Sequence, residues 1–237
     1  MKASTRLLAS LSLCAAATTL VAALATRNVT AAGNPSANID QCANGLVYAT
    51  VPCTGSAWQN GNTNANNSHW FEGDSIAYRM TFSNISLGTT HRVTIEWDTT
   101  KGGAHALDYL TSYDRTETVA NGNNPCSGVS GCGSPTTFAI PPDNHTSPTL
   151  QPSVNDGRWN QVFTMFNGTI TSVTVKDPAL GNPEVPYNLT GTYAGDSSTS
   201  ITITFTAATS TPVLAWGGHV GTRKDWGANN SALAMRS

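Results

Sequence analysis

The chain has 237 residues, of which only 11% are charged, with 12 Lys and Arg against 14 Asp and Glu. No basic stripe is available to hold phosphates, which argues against nucleic acid as a partner, and the surface must be solvated by neutral Asn, Thr, Ser and Gly. The length suits one large or two small β domains with a real core, and no fixed-period repeat divides it.

At the N-terminus, Lys2 and Arg6 precede an apolar run from Leu7 to Ala25 that carries no charge. This pattern reads as a signal peptide over residues 1–32. Small residues suit cleavage after Ala23-Leu24-Ala25 and again around Val29-Thr30-Ala31, so the cut is expected between 25 and 32 and takes Cys14 with it. Loss of Lys2, Arg6 and Arg27 then leaves nine basic side chains, a formal charge of 9 − 14 = −5. No second apolar span follows, so residues 33–237 are expected to form one extracellular or cell-surface module without a transmembrane segment.

Four cysteines remain, Cys42, Cys53, Cys126 and Cys132. They allow three connectivities in an oxidising compartment, and the simplest is two local bridges, Cys42–Cys53 and Cys126–Cys132. A zinc site is disfavoured because neither spacing is C-x-x-C.

Along the chain the apolar residues follow a period of two. Ile76, Tyr78, Met80 and Phe82 alternate with Ala77, Arg79 and Thr81; Val93, Ile95 and Trp97 with Thr94, Glu96 and Asp98; Ile201, Ile203 and Phe205 with Thr202, Thr204 and Thr206. These are half-buried strands. Weaker strands are read at 161–166, 170–175, 187–193 and 212–216, and Ala104 to Tyr113 is the one segment with a helical turn or two. Asn167-Gly168 reads as a two-residue hairpin turn. The segment at about 122–156, dense in Gly, Pro, Ser and Asn, reads as a long excursion carrying the second cysteine pair. The sum is an all-β, antiparallel β-sandwich of immunoglobulin-like or jelly-roll-like kind with long disulfide-bearing loops.

Near the C-terminus, Leu214 to Gly227 concentrates two Trp, four Gly and His219. A doubly buried strand is expected to end at Gly217-Gly218, with His219 to Asp225 a polar loop and Trp226 folding back as a lid.

An ordered set of short signatures runs through the chain: Ile39-Asp40-Gln41-Cys42, Glu72-Gly73-Asp74-Ser75, Thr94-Ile95-Glu96-Trp97-Asp98, His105-Ala106-Leu107-Asp108-Tyr109-Leu110 and Leu214-Ala215-Trp216-Gly217-Gly218-His219. Together they resemble uncharacterised β-rich modules of secreted, often multi-domain bacterial surface proteins. The resemblance implies an extracellular module and no reaction.

Candidate chemistry is sparse. Glu96 and Asp98 project from one face of a strand and are the nameable carboxylate pair for glycoside cleavage, although a solvated strand face reads the same way. Asp98, Asp108, Asp114 and Glu117 bracket a glycine-containing loop and are the candidate calcium ligands, calcium being the one cofactor the sequence leaves open. Gly128-Val129-Ser130-Gly131-Cys132 lacks the last Gly of a nucleophile elbow, and the five His show no zinc spacing. The rings of Trp58, Trp70, Trp159 and Trp226, with Phe71 and Trp216, are candidates for stacking on sugars. The leading expectation is therefore a non-enzymatic module for cell-surface structure or interaction with another surface protein. A carbohydrate-binding module comes second and a glycoside-active enzyme third.

Overall fold

The computed structural model describes residues 33–143, 145–146, 161–174 and 186–227. In chain order the strands are β1 (Ser36–Cys42), β2 (Gly45–Leu46), β3 (Ala49–Thr50), β4 (Trp58–Gln59), β5 (Ser75–Ser83), β6 (Thr90–Lys101) and β7 (Ala104–His105). They continue with β8 (Leu107–Thr111), β9 (Pro135–Ala139), β10 (Val162–Phe166), β11 (Gly168–Val173), β12 (Asn188–Gly191), β13 (Ser197–Ala207) and β14 (Val213–Val220), before a short helix α1 (Arg223–Trp226). The larger sheet runs β4-β1-β5-β14-β10-β9, with β8 also on β14; the smaller runs β11-β13-β6-β7, with β12 also on β13. All pairings are antiparallel. The chain is thus an all-β antiparallel sandwich, and both local disulfides, Cys42–Cys53 and Cys126–Cys132, are formed.

Alternation builds the core. Ile201, Ile203 and Phe205 of β13 and Ile95 of β6 point inward against Met80 and Phe82 of β5, Phe163 and Met165 of β10, and Leu214 and Trp216 of β14. Burial of this apolar area is the main driving force for closing the two sheets.

Four local expectations change. Ala104 to Tyr113 is not helical: β7 pairs with β6 and β8 with β14, because sheet partners override a weak helical pattern. Asn167-Gly168 is not a hairpin, since β10 lies in the larger sheet and β11 in the smaller. Asn167, at φ 58°, turns the chain between sheets, its side chain accepting from Gly133 N and donating to Gly131 O. Within the segment read as an excursion, Pro135–Ala139 is an edge strand paired with β10, while residues 147–156 lie outside the described residues.

The fourth change concerns the double glycine. β14 does not stop at Gly217-Gly218 but continues to Val220, every residue buried. A Cβ on Gly217 would lie 2.3 Å from Thr111 Oγ1 and 2.7 Å from Ser112 O, and one on Gly218 2.8 Å from Leu107 Cδ1. The glycines admit β8 alongside β14 rather than ending the strand.

The larger sheet is covered on its outer face as well. Trp58, Trp70 and the Cys42–Cys53 bridge pack over Ala77, while Tyr113, Cys126 and Cys132 pack over Val213 and Ala215. Between these patches lies Arg79, nearly buried on the same face. Its Nε donates to Asp40 at 2.9 Å, its Nη1 to Pro125 O and Ser127 O at 3.0 and 2.6 Å, and its guanidinium sits over Trp58.

Urea titrations of three variants check this packing. Gly217→Ala costs about 2–4 kcal/mol through overpacking against backbone, whereas Gly195→Ala, with nothing within 4 Å of the added Cβ, stays within about 0.5 kcal/mol of wild type. Asp40→Ala leaves the buried guanidinium without its counter-ion and costs about 3–5 kcal/mol.

Candidate functional site

A concavity opens on the side of the sandwich where β1 edges the larger sheet and β6 the smaller. Two adjoining hollows of about 290 and 300 Å³ share Ile39, Gln41, Asn62 and Tyr78. Strand alternation supplies the floor: Tyr78 and Trp216 are direct cross-strand partners, their rings stacked at 5.8 Å and 13°. Ile95 and Trp97 form the β6 wall, Leu107 and Leu110 the far wall, and carboxamides line the mouth.

Those carboxamides come from a polar loop tied to β1. Asn60 donates to Ile39 O at 3.1 Å, Gln41 donates to Gly61 O, and Thr63 donates to Gln41. Asn62 is exposed and makes no hydrogen bond among the described residues. Burial pushes the Tyr78 hydroxyl well above its ordinary value of 10, so it remains a neutral donor and acceptor across the working pH range. The Trp97 indole N–H has no acceptor among the described residues. A cleft with a planar apolar floor and neutral polar groups at its mouth suits a ligand that is flat on one side and rich in hydroxyls on its rim.

The aromatic residues singled out by sequence are placed differently. Trp58 and Trp70 are interior, their indoles donating to Asn124 O and Cys42 O, so neither ring is a ligand platform. Trp226 does fold back, stacking on His105 at 3.7 Å and donating to Asp108, which occupies its face and its N–H. Trp216 forms the cleft floor, Phe71 is exposed on a loop, and Trp159 lies outside the described residues. Tyr78 and Trp97, which the alternation assigned only to the core, are the rings that reach the cleft. Their strand positions were readable from the alternation, but their reach into the cleft was not.

Glu96 and Asp98 line the cleft at β6, with their side chains on the exposed outer face, where Ser198 Oγ donates to Glu96. The calcium candidates are also dispersed into different partnerships. Asp98 is exposed, Asp108 binds His219 and Trp226, Asp114 sits beside Tyr113, and Glu117 accepts from Asn44. Among the described residues no group of three His, Cys, Asp or Glu is arranged to hold a metal ion.

His219 was expected in a loop and is instead buried in β14. Its Nδ1 lies 2.6 Å from Asp108, at the irregularity in the β8–β14 register, and its ring stacks on Tyr109 at 4.3 Å. Ser75 stands opposite His219 on β5, and its buried hydroxyl makes no hydrogen bond among the described residues. With His105, Tyr193 and Trp226, this cluster closes the end of the sandwich.

Compared with protein-family models, curated proteins and solved structures, the chain matches none.

Burial holds His105 below its ordinary 6.5, partly offset by Asp108. The unfolded chain therefore takes up this proton first as pH falls. The contribution of neutral His105 is full above pH 6.5 and declines below it until the folded imidazole also titrates. Urea midpoints measured from about pH 7.5 to about pH 5 should fall more steeply for wild type than for His105→Phe, which keeps a ring against Trp226.

Proposed function

We propose that the chain is a secreted, non-enzymatic interaction module whose cleft binds a neutral carbohydrate chain. The observation that carries this reading is the continuous cleft with a stacked Tyr78–Trp216 floor, the Trp97 wall and the carboxamide mouth. An aromatic plane gains contact with the apolar face of a sugar ring, while Asn and Gln exchange hydrogen bonds with hydroxyls without the desolvation cost of a charge. The two disulfides and the signal-like N-terminal run support an extracellular setting. The resemblance to surface-protein modules points the same way.

The test is affinity electrophoresis through gels cast with bacterial, algal and plant polysaccharides, with calcium and with chelator. Selective retardation is expected in at least one polysaccharide. Tyr78→Leu, which loses the stacking plane, and Asn62→Ala, which loses a free amide at the mouth, should each weaken it by about tenfold. Uniform mobility in every gel would overturn the reading, as would retardation that survives both substitutions in folded protein. Loss of retardation in chelator would add calcium as a ligand.

A further inference from the structure

The smaller sheet ends in an open edge. β6 pairs with β13 along its length on one side, while on the other only Thr100 and Lys101 are paired, with β7. Ala106 N donates to Thr99 O and closes the edge one residue earlier. The stretch Thr90 to Asp98 is thus unpaired on that side among the described residues, nine residues with their midpoint at Thr94. An edge of this length presents a row of backbone donors and acceptors that another strand satisfies by addition.

Charge identifies the partner. The outer-face residues of the open stretch are Thr90, Arg92, Thr94, Glu96 and Asp98, all exposed. Arg92 makes no ion pair among the described residues. In antiparallel self-pairing about a two-fold axis at Thr94, Arg92 of each copy falls opposite Glu96 of the other, and Thr90 opposite Asp98. The inner face then matches Val93 to Ile95. Shifting the register by one residue sets outer against inner face, and axes at Arg92 or Glu96 put like charges opposite each other. The midpoint fixed by the β7 closure is therefore a register in which the charges are complementary and the whole open stretch is paired; the axis at Ile95, which sets Arg92 opposite Asp98, pairs only Arg92 to Asp98.

We propose that a second copy of this chain is the partner of the β6 edge, joining two small sheets into one continuous sheet through Thr90 to Asp98. The added strand would run along the β6 wall of the cleft, but the argument uses only the backbone edge and the outer-face charges of β6, so this assembly does not rest on the carbohydrate reading.

Sedimentation velocity on the full chain without ligand, up to about 0.5 mM, tests it. Wild type is expected to show concentration-dependent dimer that weakens with salt. Arg92→Glu and Glu96→Arg, each exposed and checked for retained circular dichroism, should each weaken self-association by roughly tenfold, because two symmetry-related attractive pairs become repulsive. Mixing the two variants restores complementary charges at both positions, so a heterodimer should form at wild-type strength. The proposal is overturned if wild type stays monomeric over the whole series. It is equally overturned if both reversals leave the dimer intact, or if the mixed variants fail to associate.

Discussion

A guanidinium on the outward face of a central strand sets the plan of the larger sheet. Arg79 cannot remain desolvated without acceptors on several sides. Asp40 from β1 and the carbonyls of Pro125 and Ser127 supply them. Those contacts hold the segment around Cys126–Cys132 down on the sheet, while Trp58 brings the segment around Cys42–Cys53 against the guanidinium from another side. Each bridge shortens a loop that would otherwise retain more freedom when unfolded, worth about 2–3 kcal/mol apiece. β5 and β14 consequently lie between two packed layers, which is why β14 is buried throughout and why Gly217 and Gly218 sit where neighbouring atoms leave no space for a side chain.

Among the described residues the smaller sheet has no such cover. Its outer face is a row of hydroxyls and charges, with Thr94 and Thr202 bonded across the β6–β13 pair and Ser198 bonded to Glu96. The asymmetry concentrates the interaction potential of the molecule on one side. There the β1 edge and the β6 edge diverge, the inner aromatics of the larger sheet come into view, and backbone groups lack a neighbouring strand among the described residues. The cleft and the open edge are two consequences of that single gap. At the end of the sandwich the same gap is filled, because α1 returns Trp226 onto His105 and ties it to Asp108.

Much of this was legible in the residues. Period-two alternation identifies β5, β6 and β13 because a half-buried strand must place apolar side chains on one face whatever its partners are. The local cysteine pairing is the simplest of the three connectivities and is the one formed, and the low charge content anticipates hydroxyl-rich exterior surfaces. The residues therefore specify the all-β class and the inward faces of the long strands, with the two local bridges the simplest of three cysteine connectivities. The tertiary arrangement chose which strand neighbours which, and through that choice everything about the site. It carried β14 through the double glycine, sent Asn167 between sheets instead of around a hairpin, and turned Ala104 to Tyr113 into strands. It buried Trp58 and Trp70 while leaving Tyr78, Trp97 and Trp216 around a cleft. The physical reason is that alternation specifies which face of a strand is apolar, whereas exposure depends on whether another strand or loop, distant in sequence, arrives to cover that face or edge.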